Sequence, residues 1–463
     1  MSDKNLNDFD WENNTWDVID TFFKQDAILV NHHIKSFNYF MEKNIQAIVR
    51  EKEYSTVKVY NKDSYDVEKE LYREIYEIEF GKVHISKPVL QDKPNKYMLP
   101  NQARLRKLTY AGSIYIDIHH RTIRIKENGE RSIENHMTLE KFPCGKIPIM
   151  LGSKFCVLSE QSTLTKKDLG ECIYDNGGYF IVKGSEKVII SQEKVAENKI
   201  CCFPEKVSQS KFSDKAEIWS VDTNNPSVVS KIIVRMKIKK EDQTGNVISI
   251  RMKRLKQDIP IIILFRALNY VSDKSIIELI VYNTSKDLNY DMIDLLNASI
   301  DEAKQINSQK LALEYISKYI NGIQVNKYKT NKCKLSYTYE TIINDLFPHV
   351  GTSPIKKVKF LGHMVNKMLT CNLKKEYDDR DSFINKRVET SGELMSQLFR
   401  AYFGRFNKDL KSECDKDMLA GRMSELSQNL TKKLKPNAIE RDINYCIGTG
   451  TWGLKNKNPR KGI

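Results

Sequence analysis

Residues 175 to 193 read DNGGYFIVKGSEKVIISQE. Asp175, Asn176, Gly177 and Gly178 make a polar turn ahead of a strand-like run from Tyr179 to Val182. A second turn is expected at Gly184–Ser185, followed by a β-branched run from Val188 to Ile190. Short apolar runs separated by glycine-bearing turns read as a β-hairpin. Its tip carries Lys183, Glu186 and Lys187. By spacing alone this is a hairpin with a charged tip, and an exposed Lys–Glu pair adds little stability.

The chain around it has 463 residues, enough for two or three domains. Apolar residues make up 40%, sufficient for real cores, while 29% charged residues and a mean hydropathy of −0.52 make a very polar surface. The formal charge is +15 and the pI near 9.1. Two origins fit that excess: a coding bias rich in Lys, Asn and Ile, or a polyanionic partner, most simply nucleic acid. The nine cysteines show no CxxC and no paired spacing with histidine, which argues against a zinc site or a disulfide framework. Their odd, scattered placement fits a reducing compartment. The acidic start, MSDKNLNDFDWENN, is not a secretory signal. The longest apolar run, Ile259 to Leu264, is far short of a membrane span, so no membrane partner is expected. No nucleophile–base pair, Walker loop or histidine cluster is evident, and His32–His33 and His119–His120 have no ligand partner at helical spacing.

Residues 16 to 50 read as two helices, with Trp16, Ile19, Phe22 and Phe23 on one face of the first. Ile114, Ile116 and Ile118 alternate as a strand does. Composition changes near residue 204, where a turn-rich stretch precedes strand-rich segments and then helices from Phe265. Tyr328 to Glu340 is polar and reads as a long loop. Helical periodicity returns from Phe360 to Leu373 and from Gly392 to Phe406.

Taken as a whole string, Gly177 to Val188 closely resembles the GGYFIVNGSEKV signature of the second-largest subunit of multisubunit RNA polymerases, with Lys183 in place of the family's Asn. Six further segments resemble that family in its order: NQARLRKLTYAGSIYIDI (Asn101–Ile118), KIPIMLGSKFCVL (Lys146–Leu158), IPIIILFRALNYVSDKSIIELI (Ile259–Ile280), FPHVG (Phe347–Gly351), DDRDSFINKRVETSGELMSQLF (Asp378–Phe399) and GTGTWG (Gly448–Gly453). The resemblance implies an α+β fold, a mixed strand/helix protrusion domain with an inserted lobe domain. The protrusion would span 1–204 and 388–447, the lobe 205–387, and 448–463 would begin a truncated fork. The family's subunit is more than twice as long, so this chain would be its N-terminal part.

The resemblance further implies a role in template-directed RNA synthesis by a DNA-directed RNA polymerase, a nucleotidyltransferase. The chain would contribute surfaces that guide DNA and RNA and would be inactive alone. No cofactor is expected in this part, and the Mg²⁺ of the assembled enzyme would be bound by other parts. Partners would be the largest polymerase subunit, the remaining C-terminal part of the second-largest subunit, smaller subunits, the DNA template and the RNA transcript. The place would be intracellular, nucleus or cytoplasm, or a viral factory or virion if the type is that of a large DNA virus. The alternative is a stand-alone basic nucleic-acid-binding or assembly protein without polymerase activity.

Lys187 is then expected to position a phosphate rather than catalyse. Arg104 and Arg106 (beside Lys107) would share a strand face with Leu105 pointing inward, and would hold either a phosphate or an internal carboxylate. Asp378, Asp379 and Asp381 are expected to form an ion-pair cluster around Arg380, Lys386 and Arg387, not a metal site. Lys386 and Arg387 are also candidate nucleic-acid contacts. Lys455, Lys457, Arg460 and Lys461 lie in a Gly/Asn/Pro loop suited to backbone phosphates, or else are a frayed tail. Lys231 to Lys256 holds nine basic and two acidic residues, read as a solvated strand face in preference to a DNA contact. Three departures from the family stand out: Gly152 for Arg, Ile384 for Gly, and Asn269 for Gly, where Asn still suits a left-handed backbone.

Overall fold

The structure, a computed structural model, describes residues 11–24, 27–51, 53–61, 64–66, 71–90, 92, 96–125, 130–160, 167–205, 211–222, 229–238, 246–282, 287–321, 331–420, 430–435, 437–452 and 460–461. The fold is α+β. The chain divides into two compact units, Met1–Gln192 with Val388–Ile463, and Glu193–Arg387.

The first unit opens with helix α1 (Trp11–Phe23) and helix α2 (Asn31–Tyr39). A π-turn at Phe40–Asn44 carries α2 into α3 (Ile45–Arg50). Strands β1 (Thr56–Tyr60), β4 (Glu74–Ile85), β5 (Ala111–Ile125) and β6 (Arg131–Pro148) form an antiparallel sheet in that order, with a small hairpin of β2 (Tyr65–Asp66) and β3 (Leu71–Tyr72) set between the first two. Ile114, Ile116 and Ile118 on β5 are buried, as strict alternation requires of a sheet with one wet face. Short helix α4 (Pro100–Leu105) precedes β5, and β7 (Phe180–Val182) pairs with β8 (Ser185–Lys187).

The second unit begins at β9 (Gln192–Val195), which pairs with β15 (Lys386–Glu389) at its close. Its main sheet is five antiparallel strands in sequence order, β10 (Cys201–Pro204), β11 (Phe212–Val221), β12 (Val229–Lys237), β13 (Ile248–Arg251) and β14 (Ile259–Pro260). The unit starts before the composition change near 204 because Cys201–Pro204 is already a strand of this sheet. Ile232, Val234 and Met236 of β12 are buried. The opposite face is basic but paired: Lys231 reaches Glu217 at 3.4 Å and Arg235 reaches Asp258 at 3.5 Å. Helices α5 (Ile261–Ala267), α6 (Asp273–Val281), α7 (Asp287–Glu302) and α8 (Gln309–Ser317) follow. Asn269, just after α5, has φ +73°, the left-handed conformation expected for it from the sequence.

The stretch read as a loop from Tyr328 to Glu340 is instead largely helix, α9 (Asn331–Asp345); its residues before 331 lie outside the described ones. Its polarity misleads because the hydroxyls of Thr338 and Thr341 donate to the carbonyls of Lys334 and Tyr337, each at 2.8 Å, so buried threonines are satisfied within the helix. Helix α10 (Pro354–Lys374) completes the unit's core with Leu361, Met364, Val365 and Met368.

The chain then returns to the first unit as α11 (Ser391–Leu419), α12 (Asn437–Thr449) and the two-residue strands β16 (Thr451–Trp452) and β17 (Arg460–Lys461), which pair where a loop was expected. Its aromatic face stacks into the core: Phe399 lies 5.7 Å from Phe403, Phe403 5.3 Å from Phe80 of β4, and Phe37 of α2 meets Phe180 of β7 at 5.4 Å. Gly392 lets α11 touch α2, since a methyl group there would lie 2.0 Å from the Ser36 carbonyl oxygen. The Gly392 N–H donates to the Ser36 hydroxyl, and Arg400 forks onto Glu51 at 2.9 and 3.0 Å.

Gly392→Ala is expected to destabilise the protein by about 2–3 kcal/mol, because backbone must move to admit the methyl. Gly448→Ala, in α12 with only a 3.7 Å contact to Val182, should be neutral or stabilising by up to about 1 kcal/mol. Denaturant melts of both variants check the contrast.

Candidate nucleic-acid interface

The DNGG turn is built by its own side chains and by missing ones. Asp175 Oδ1 accepts the Gly177 N–H at 2.8 Å. Gly177 and Gly178 have φ of +74° and +82°. A methyl on Gly177 would lie 2.5 Å from the Leu151 carbonyl oxygen, so this turn can press against Leu151–Gly152 only as glycine. Gly152 itself has φ +79°, a backbone that favours the glycine found here over the family's Arg.

The hairpin turn lies one residue earlier than expected, at Lys183–Gly184. β8 is Ser185–Lys187 and not Val188–Ile190. All three β7 residues are buried, so this strand is packed on both sides rather than alternating. Lys183 and Gly184 both have positive φ, +51° and +78°, the pattern of a type I′ turn that favours Asn-Gly.

Arg104 and Arg106 do not share a strand face. Pro100 starts a helix, and Leu105 at its end is 77% exposed rather than inward. The helix closes through Leu108 N to Ala103 O and Lys107 N to Arg104 O, with Lys107 at φ +52°. This is a Schellman closure with lysine where glycine is usual. The two turns meet: Gly184 N donates to Leu108 O, Lys183 N donates to Thr109 Oγ1, and a methyl on Gly184 would lie 2.8 Å from Lys107 Cα.

Arg104 joins them. Its Nε donates to Glu186 at 2.7 Å, Nη1 to Glu171 at 2.8 Å, and Nη2 to the Tyr179 hydroxyl at 2.6 Å. Glu171 is buried and also accepts the Asn101 N–H at 2.7 Å. Burial opposes the Arg104 charge, but the bonds to Glu171 and Glu186 outweigh it and raise its pKa, so it stays charged. Burial and the bond to Asp175 push the Tyr179 phenol up, so it stays protonated. Arg104 is thus wholly engaged inside the protein, and it removes the only acid on the hairpin tip from play.

What remains exposed at the tip is positive. Lys107 and Lys183 are exposed and Lys187 half-buried, and among the described residues none of the three has a carboxylate partner. Of these, Lys187 is the contact expected from the sequence; Lys107, grouped there with Arg104 and Arg106, and Lys183, noted on the tip, are brought beside it by the two packed turns. Arg106 pairs with exposed Asp92 at 2.8 Å.

The other candidates fall elsewhere. In the second unit, Lys386 pairs with Glu193 at 2.8 Å, while Arg387 is exposed and donates to the carbonyls of Ile384 and Lys386. The expected acidic cluster forms only in part. Asp378 pairs with Lys367 at 2.8 Å and accepts Cys202 N–H, Arg380 reaches Glu217 at 3.8 Å, and Asp379 accepts the Asp381 N–H. Asp378 thus finds Lys367 in place of Lys386 or Arg387, whereas the charges of Asp381 and Asp379, behind that of Glu193, help to raise the Lys386 pKa. Among the described residues no group of three His, Cys, Asp or Glu side chains could hold a metal, and no helix is long and apolar enough to cross a membrane. Lys455 and Lys457 lie outside the described residues, as do the side chains of Arg460 and Lys461.

Comparison with known proteins matches these features to a family of large transcription subunits. The profile of the family described as RNA polymerase beta subunit matches residues 28–441, and the chain belongs to that family. It is 34% identical over 454 residues to DNA-directed RNA polymerase II subunit 2 of Arabidopsis thaliana, covering 96% of this chain and 37% of that protein. It is also 34% identical to subunit RPB2 of Schizosaccharomyces pombe, over 95% of this chain and 36% of that protein. Subunit Rpo2N of the archaeon Methanococcus vannielii is 30% identical, over 94% of this chain and 80% of the relative. The chain therefore spans little more than a third of these eukaryotic relatives.

Arg104→Ala should lower stability by about 3 kcal/mol by leaving buried Glu171 unpaired, while Glu186→Gln, at an exposed end, should cost less than about 1 kcal/mol. Lys183→Asn should raise stability by about 0.5–1 kcal/mol, since Asn adopts the left-handed turn with less strain. Chemical denaturation of the three variants decides; equal effects of Arg104→Ala and Glu186→Gln would contradict the network described.

Proposed function

We propose that this chain is the N-terminal, protrusion and lobe part of the second-largest subunit of a DNA-directed RNA polymerase, and that it guides DNA and RNA during template-directed RNA synthesis. The observation that carries the reading is the match along 96% of the chain to a polymerase II second subunit. On this reading the first unit is the protrusion, the second the lobe, and residues from 448 begin the fork. Its partners are the largest subunit, the remaining part of the second-largest subunit, smaller subunits, the template and the transcript. The nucleotidyl transfer belongs to the assembled enzyme, whose Mg²⁺ ions are held by other parts. The site of action is intracellular, and the Lys, Asn and Ile bias favours an AT-rich source such as a large DNA virus. Family membership favours this reading over a stand-alone basic binder.

Within it, Lys107, Lys183 and Lys187 meet backbone phosphates as point charges without reading sequence, and Arg104 positions them. Arg387 and the basic run Lys455, Lys457, Arg460 and Lys461 are further phosphate contacts, the last four by resemblance. Arg106 and Lys386, both already paired, contribute less.

The purified chain should bind a random-sequence duplex with an affinity that falls steeply with salt. Replacing Lys107, Lys183 and Lys187 together with Ala should reduce the log–log salt slope by about two to three and leave the melting temperature nearly unchanged. An unchanged slope would remove these lysines from the interface, and a flat slope in the parent chain would refute nucleic-acid binding altogether. RNA synthesis by the chain alone, surviving removal of contaminants, would contradict its assignment as a non-catalytic part.

A further inference from the structure

Among the described residues Tyr174 is the most exposed large apolar side chain, at 84%. Its hydroxyl has no hydrogen bond and its ring meets no other aromatic ring among those residues. An exposed tyrosine is common and signifies little alone. This one is set apart by its support. It stands in the turn from Glu171 to Asp175, which Arg104 holds at both ends. Arg104 Nη1 donates to buried Glu171 at 2.8 Å. Nη2 lies 4.0 Å from Asp175 Oδ2 and donates to the Tyr179 hydroxyl, which in turn donates to Asp175 Oδ2. Asp175 N donates to Cys172 O at 3.2 Å, and Asp175 Oδ1 accepts the Gly177 N–H. The backbone beneath Tyr174 is therefore ordered before any partner arrives, so contact with the ring costs little further entropy.

The same guanidinium sets this turn beside the positive tip. Arg104 Nε donates to Glu186 at 2.7 Å. Tyr174 and Lys187 are thus each one residue from an acid that Arg104 holds. Lys107 N donates to Arg104 O, and Gly184, next to Lys183, packs against Lys107. Arg104 and the three lysines outnumber Glu171, Asp175 and Glu186, and those acids all face Arg104. Lysines without a carboxylate partner beside a bare ring suit a nucleotide, with phosphates toward the lysines and a base on the ring. A duplex offers the ring little, because its paired bases show only their edges in the grooves. An unpaired base shows its whole face.

We infer that Tyr174 is a stacking platform for an unpaired nucleobase of a DNA or RNA strand whose backbone phosphates meet the lysine tip. This inference rests on the nucleic-acid reading above and names the form of nucleic acid that the hairpin site takes.

The test titrates the purified full chain with a random-sequence single-stranded DNA, the same sequence as RNA, and the DNA duplex. Tyr174→Leu keeps apolar bulk but removes the ring face. It should weaken binding to at least one of the single strands by at least about fivefold; the strand that loses more is the one the ring serves. Duplex affinity should change by less than about twofold, and the log–log salt slope should not move, because the ring carries no charge. Tyr174→Phe, which returns the ring, should recover the parent affinity. A single strand with 5-iodouracil in place of every thymine, irradiated on the parent chain, should cross-link at Tyr174. The melting temperature of both variants should stay within about 2 °C of the parent, because the side chain is exposed. Single-strand binding by Tyr174→Leu equal to the parent's overturns the inference, as do equal losses on single strand and duplex, no recovery by Tyr174→Phe, or no cross-link at Tyr174. If any of these accompanies a steep parent salt slope, stacking alone is wrong and the lysine contacts stand. A flat parent slope overturns both readings.

Discussion

The guanidinium of Arg104 fixes the geometry on which the candidate interface depends. Its three nitrogens bond Glu171, Glu186 and Tyr179, tying the end of a short helix to a hairpin that lies some eighty residues further along the chain. A lysine could not do this, because a point charge cannot satisfy three acceptors at fixed angles. With the fork in place, the two turns press together and Glu186 is held by Arg104. Three lysines are then left without a carboxylate partner among the described residues. Without it a buried carboxylate loses its counter-charge and the hairpin tip loses its anchor.

Net charge says less about function than the pairing of charges does. Several of the basic positions that draw the eye in the sequence are answered locally among the described residues: Lys231 by Glu217, Arg235 by Asp258, Lys386 by Glu193 and Arg106 by Asp92. Lysine in a left-handed backbone is not itself diagnostic, since Lys141 and Lys375 adopt positive φ as well. What distinguishes Lys107 and Lys183 is that their two turns pack back to back, at positions where Gly or Asn would strain the backbone less.

Much of the fold was legible because periodicity reports burial directly. The alternation of Ile114, Ile116 and Ile118 gave a strand, and the spacing around Leu361 and Val365 gave a helix. Asn269 for Gly read correctly as a left-handed residue because its conformational demand is local. The failures are those where the deciding partner is distant. NQARL is too short to show a helical period, so only Pro100 at its start hinted that Leu105 would face water. The threonines of α9 read as loop because their internal hydroxyl bonds are invisible in composition. The link between Arg104 and Glu171 has no local signal at all. For α1 the sequence showed the apolar face but not that Trp16, Val18, Phe22 and Phe23 are exposed among the described residues.

The central claim is that the Lys107–Lys183–Lys187 tip lies against nucleic-acid phosphates in the assembled polymerase. A hydroxyl-radical source tethered at position 183 of the assembled enzyme, bound to a DNA bubble with a short transcript, tests it most directly. The account predicts cleavage confined to a few consecutive nucleotides. Protein cleavage without nucleic-acid cleavage from position 183 would contradict it.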